Sequence, residues 1–151
     1  MINELKIACY NHCIKLVNTK IDVSKTRVDS AQESASGETK STAGDKHETA
    51  RAMAMLEKDK ASQLLQTNLM QLKLLDQINP KKLNTSPELG ALIMAENCYF
   101  YLSIGLGKCV INNQEVYVIS PASRVGSVLI GLKANDTFLF NKLKLTVITI
   151  C

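Results

Sequence analysis

Apolar or small residues recur every three or four positions from the start of the chain: Ile2, Leu5, Cys9, Cys13, Leu16, then Val23, Val28, Ala31 and Ala35. That is the spacing of one helix face. The stripe thins after Val17 and becomes small and polar near Gly37. After Gly44 the same spacing resumes at Ala50, Met53 and Leu56, and it strengthens through Ala61, Leu65, Leu69, Leu72 and Leu75. Pro80 ends it, because proline disfavours helix in the residue before it. The two arms, about 2–35 and about 45–78, are nearly equal, and at 1.5 Å per residue each is about 50 Å long. The pattern predicts an antiparallel helical hairpin, a coiled coil over residues 1–78 with its tip near 36–46.

Residues 79–87, "NPKKLNTSP", combine two prolines, two lysines and small polar residues, and read as a linker. Beyond it the period changes. "LGALIMA", "CYFYLSIG", "KCVINN" and "EVYVIS" are short runs rich in β-branched and aromatic residues, separated by Asn, Gly and Lys. "GLGK" at Gly105–Lys108 reads as a hairpin turn. Val125, Val128, Leu129 and Leu132 return to helical spacing and predict a short helix from about Ser123 to Leu132. "DTFLFNKLKLTVITI" then predicts two strands around a tight turn at Asn141 and Lys142. The fold class is α+β: a helical hairpin followed by a small sheet domain with one helix over 88–151.

Charge changes this picture in one place. The net charge is +4, with the signs mixed along most of the chain. From Asp29 to Glu48, however, the acids Asp29, Glu33, Glu38, Asp45 and Glu48 face only two bases, Lys40 and Lys46. That segment repels phosphate unless a cation comes between. Aromatic residues make up 5% and Trp is absent, which argues against base stacking as the main activity. The five cysteines, Cys9, Cys13, Cys98, Cys109 and Cys151, form no C-x-x-C pair, so a disulfide framework or closed zinc site is not expected. Cys9 and His12 share a helix face, but no oxyanion-hole signature accompanies them, and a thiol enzyme is not expected. The N-terminus carries charges in its first ten residues and lacks a secretory apolar run. No stretch reaches the roughly 18 apolar residues of a membrane span, so the expected location is a reducing cytoplasm and no membrane partner is expected.

The candidate chemistry lies at the turn. Asp45 and Glu48, with His47 between them, follow Gly44 in the spacing D-x-x-E. At a helix start this spacing is close to a capping box, in which Asp45 accepts first-turn amide bonds and Glu48 reaches back. Both charges also suit the positive end of the helix dipole. The same pair could hold Mg²⁺, an ion typically bound through one or two carboxylates plus substrate phosphates. A cap leaves carboxylate lone pairs free, so the two readings coexist.

The order of these parts resembles the Gre-type transcript cleavage factors of bacterial RNA polymerase. Members carry a tip motif of the form G-D-L-x-E-N-A-E-Y, which stands here as "GDKHETARA". Gly44, Asp45, Glu48 and Ala50 match; Lys46, Thr49, Arg51 and Ala52 differ. Near the C-terminus the family reads I-S-x-x-S-P-x-G-x-x-L-x-G-x-x-x-G-D, and here "ISPASRVGSVLIGLKAND". Ile119, Ser120, Ser123, Gly126, Leu129, Gly131 and Asp136 match, while Arg124 replaces Pro and Asn135 replaces Gly. "LGALI" is similar to the family's strand opening F-G-S-x-V.

The resemblance implies an FKBP-like antiparallel sheet domain that docks on RNA polymerase through Ser120, Ser123, Arg124 and Gly126. It implies a monomer whose hairpin tip enters the secondary channel. There Asp45 and Glu48 would help bind a Mg²⁺ shared with the polymerase for cleavage of backtracked RNA, with indirect contact to the RNA. The protein alone would then be neither an enzyme nor the holder of a cofactor of its own. Two other readings remain open. In one, the protein is an inhibitor that docks on polymerase, or a hairpin adaptor, and the acids are only caps. In the other, Tyr99, Phe100, Tyr101, Tyr117, Phe138 and Phe140 line a prolyl-isomerase pocket.

Overall fold

A computed structural model describes residues 1–38 and 44–151, and all of their side chains except 36–38 and 44–47. Of the expected tip at 36–46, residues 39–43 lie outside the described residues, as do the side chains of the remaining positions. Two long helices come first, α1 (Ile2–Glu38) and α2 (Gly44–Asp76). Six strands and one short helix follow: β1 (Leu92–Ala95), β2 (Tyr99–Leu102), β3 (Gly107–Ile111), β4 (Gln114–Ile119), α3 (Arg124–Leu129), β5 (Thr137–Phe140) and β6 (Leu143–Ile150). The fold is α+β, as the change of period predicts.

The chain forms two compact units, and the division cuts across the long helices. One unit is Met1–Ile14 with Lys73–Cys151; the other is Lys15–Leu72.

In the first unit the six strands form one sheet in the order β3-β4-β2-β1-β6-β5. Every neighbouring pair is antiparallel except β2 and β4, which run parallel with Phe100 opposite Tyr117. The sheet is therefore mixed, which corrects the antiparallel expectation. "GLGK" is not a hairpin turn either, because β4 lies between β2 and β3. The reason is visible in the side chains. On β4, Val116 and Val118 are fully buried on one face, and Tyr117 and Ile119 on the other are packed against the core, whereas Lys108 and Val110 of β3 are exposed. β4 can be covered on both sides and β3 suits an edge. The tight β3–β4 turn falls instead at Asn112 and Asn113, both with positive φ (51° and 61°), the backbone such two-residue turns require. Asn141 and Lys142 do the same between β5 and β6 (49° and 67°), where the sequence places a turn.

One sheet face carries the main core: Ile93, Ala95, Phe100, Leu102, Phe138 and Val147, with Leu129 of α3 packed on them. On the other face, the first turns of α1 are tied to the sheet region. The Cys13 thiol lies 3.7 Å from the Ser103 hydroxyl, and the Cys151 thiol donates to Asn3 Oδ1.

Residues 79–87 form no loose tether. Asn84 and Pro87 are buried. Lys6, only 1% exposed, donates from Nζ to the Lys82 carbonyl and to Asn84 Oδ1. Asn84 Nδ2 in turn donates to Glu88. A buried amine needs such partners, and here they fasten the segment to α1.

In the second unit α1 and α2 run antiparallel. The buried positions on α1 are Val17, Ile21, Ser24 and Ala35, and on α2 Ala61 and Asn68. Asn68 Nδ2 donates to Ser24 Oγ at 2.9 Å, and Ser24 Oγ donates to the Lys20 carbonyl at 2.8 Å. A satisfied polar pair in a helix seam fixes register at some cost in stability. Val23, Met53, Leu56 and Leu69, expected on the packed stripe, are exposed. The buried line leaves Cys13 by steps of four and three to Val17, Ile21 and Ser24, and Val23 stands about 100° round the helix from Ser24.

Candidate functional site

The two tip acids both lie in helix. α2 includes Gly44, so Asp45 and Glu48 fall within its first two turns rather than ahead of it. They stand three residues apart in the same helix. The Glu48 side chain is exposed. The side chains of Asp45 and His47 lie outside the described residues. Within the second unit, Glu48 precedes Leu72 by 24 residues, about 36 Å of helix. Among the described residues no cluster of three or more His, Cys, Asp or Glu is arranged to hold a metal.

The second candidate region is the turn from Ser120 into α3. It is built almost entirely from the motif residues. Ser123 is the N-cap of α3: its Oγ accepts from the Gly126 amide at 3.0 Å and donates to the Ser120 carbonyl at 2.6 Å. Ser120 Oγ accepts from the Ala122 amide at 3.2 Å. Gly126 is buried, and a Cβ there would lie 2.0 Å from the Ser120 carbonyl oxygen. No other residue fits that approach. Leu129 is fully buried. The helix stops there, three residues short of the predicted end, because Gly131 takes φ +90°. Asp136 closes the following loop by accepting the Lys133 amide at 2.7 Å.

Of the four residues expected to meet a partner, Ser123 and Gly126 thus hold the local backbone. Arg124 is exposed and Ser120 half-buried. The surface that this arrangement presents is Arg124 with Ser127, Val128 and Ile130, all exposed.

The aromatic residues divide between the two sheet faces. Tyr101 is buried, and that burial, reinforced by Cys13 and Cys9, drives its hydroxyl strongly toward the neutral form. Phe100, Tyr117, Phe138 and Phe140 cluster on the α3 side, with ring centroids 4.7–5.5 Å apart. Phe100 and Phe138 are buried in the core. Tyr117 and Phe140 are half-buried.

Cys9, Cys13 and Cys151 are buried, and Cys98 and Cys109 are half-buried. Burial, reinforced by Cys13 and Cys109, pushes the Cys9 thiol up to about 12; burial pushes Cys13 up to about 11 against an opposing bond from Ser103. Thiols held protonated are poor nucleophiles.

Sequence reasoning missed Lys6 and the Ser24–Asn68 pair. Asn68 had a signal, since it interrupts a run of leucines at a seam position. Lys6 had none, because its partners lie 76 and 78 residues away.

Compared with protein-family profiles, with curated proteins and with solved structures, the chain finds no match.

Proposed function

We propose that this protein is a Gre-like transcription elongation factor. It binds RNA polymerase and carries Asp45 and Glu48 into the secondary channel to assist Mg²⁺-dependent cleavage of backtracked RNA. The observation that carries the proposal is the exposed Glu48, three residues from Asp45 at the start of a helix of 33 residues. A helix this long keeps two carboxylates at a fixed distance from the other end of the rod. The hairpin then acts as a coiled coil, and the 88–151 region, with its resemblance to the Gre C-terminal motif, acts as an FKBP-like docking domain. Several residues matched in that motif shape this turn, from the Ser123 cap to the Gly131 turn.

The chemistry is a division of labour. Polymerase supplies one firmly held ion and the RNA phosphate. Asp45 and Glu48 would supply oxygen ligands to a second, weakly held Mg²⁺, which would lend Lewis-acid stabilisation to the displacement at phosphorus. The protein has no catalytic site when alone and works as a monomer in the compartment of the polymerase. The four changed neighbours of the acids favour a second reading, a factor that docks and inhibits. A pull-down with purified core RNA polymerase tests the shared premise. Retention at a one-to-one ratio supports it; no retention at micromolar concentrations removes both readings.

A further inference from the structure

Between α1 and α2 in the second unit lies an open groove of about 630 Å³, continued by a smaller one of about 270 Å³. Arg27 and Leu64 line both, so the two are one continuous trough. It runs on α1 from Thr19 to Ser34, which is about 22 Å, or four helical turns.

The walls have two kinds of chemistry. Val23, Met53 and Leu64 are 46%, 64% and 43% exposed. Lys20, Arg27 and Lys60 stand over this apolar strip, with Glu57 the only acid in the lining. None of the three cations forms an ion pair among the described residues. Small side chains, Ala31, Ala54 and Ala61, make the floor.

We infer that this trough is a docking groove for an amphipathic helix of a partner protein, one with an apolar face flanked by acidic residues. The occupant follows from charge and shape. An apolar strip at helical spacing accepts a helix laid along it, which is how helix-in-groove recognition works. Three cations against one acid select Glu or Asp on its flanks and speed encounter with such a partner. A second copy of this chain fits poorly. Groove against groove would bring six cations against two acids. A nucleic acid strand fits less well than a helix, since the lining has no aromatic platform and places Glu57 and three apolar side chains where phosphates would lie. The inference stands independently of the polymerase reading.

The test uses the full chain and three labelled probes. The first is a 21-residue peptide with Leu at the a and d heptad positions and Glu at the flanking ones. The second is the same peptide with Lys in place of Glu, and the third is a 20-nucleotide single-stranded RNA. Fluorescence anisotropy should show binding of the acidic peptide at least tenfold tighter than of either other probe. Arg27→Glu with Lys60→Glu should weaken it at least tenfold, and so should Leu64→Ser alone, with helical content by circular dichroism unchanged. All three positions are exposed, so these variants fold. Equal binding of the acidic and lysine peptides, preference for RNA, or unaltered affinity in both variants overturns the inference. So does a dimer in sedimentation that these variants abolish.

Discussion

The rings of Tyr117 and Phe140 lie 4.7 Å apart, edge to face, although β4 and β5 are separated in the sheet by β2, β1 and β6. A flat sheet would hold strands four places apart at roughly 19 Å. The sheet therefore curls around Phe100, which touches Tyr117, Phe138 and Phe140. This aromatic contact closes the concave side. A double-mutant cycle with Tyr117→Leu and Phe140→Leu, read by urea denaturation, should give a coupling of about 0.5–1.5 kcal/mol. A coupling near zero would mean that the curl is held by α3 alone.

The motif around α3 makes a sharper demand. Replacing Gly126 with Ala drives a Cβ into the Ser120 carbonyl and the Pro121 backbone, atoms that cannot move aside cheaply. The expected loss exceeds about 3 kcal/mol, at the severe end for single substitutions. Ser123→Ala removes one cap and should cost about 1 kcal/mol. Thermal melts of the two variants check the order; a mild Gly126→Ala variant would show that this turn is looser than drawn.

Much of this was legible in the sequence. The change from a period near 3.6 to runs of β-branched residues located six strands and a helix, and Ser123, Gly131 and the Asn141–Lys142 turn are local chemistry. The strand order was not legible. Parallel pairing of β2 with β4 depends on which strand can be buried on both faces, and that is a property of the assembled sheet. The boundary at 79–87 misled because prolines and lysines look alike in a tether and in an anchored loop. Only the distant Lys6 distinguishes them. At the tip, spacing located Asp45 and Glu48 but could not say whether they cap or bind.

Lys6 should matter beyond its size. Lys6→Met leaves the Lys82 carbonyl and Asn84 without their donor, and a buried acceptor left unmatched costs about 1–3 kcal/mol. The 79–87 segment should loosen as well. Limited trypsin digestion should cut after Lys81 or Lys82 several times faster in the variant than in the wild type. Equal rates would mean that Pro87 and its neighbours hold the segment without the lysine.

Stability should fall at alkaline pH. The buried thiols rise from 9.0 to about 12 for Cys9 and about 11 for Cys13. The unfolded chain therefore loses these protons first. Stability is intact below pH 9 and declines as pH climbs toward 11, by about 1.4 kcal/mol per unit for each thiol. Tyr101, also pushed up by burial, adds to the decline above 10. Lys6, lowered by burial, opposes it, because the unfolded chain then keeps the proton that the folded one releases. Urea midpoints between pH 8 and 10.5 should drop for wild type and drop less for Cys9→Ala with Cys13→Ala. An identical slope in both would assign the lability elsewhere.

The tip decides the functional account. As only a first-turn charge on the helix dipole, Asp45 could be replaced by Asn with the loss of a few tenths of a kcal/mol. As a metal ligand, it loses its charge where a second Mg²⁺ must be held. About 2.7 kcal/mol lost from the barrier lowering slows cleavage about a hundredfold. The measurement is RNA shortening in stalled, backtracked polymerase complexes over a Mg²⁺ titration, with wild type, Asp45→Asn and Glu48→Gln. The account predicts shortened RNA with wild type. Both variants should melt at the wild-type temperature, bind polymerase normally and stimulate cleavage at least a hundredfold less. Wild type that yields no shortened RNA at any Mg²⁺ concentration contradicts it, as do variants that cleave as well as wild type.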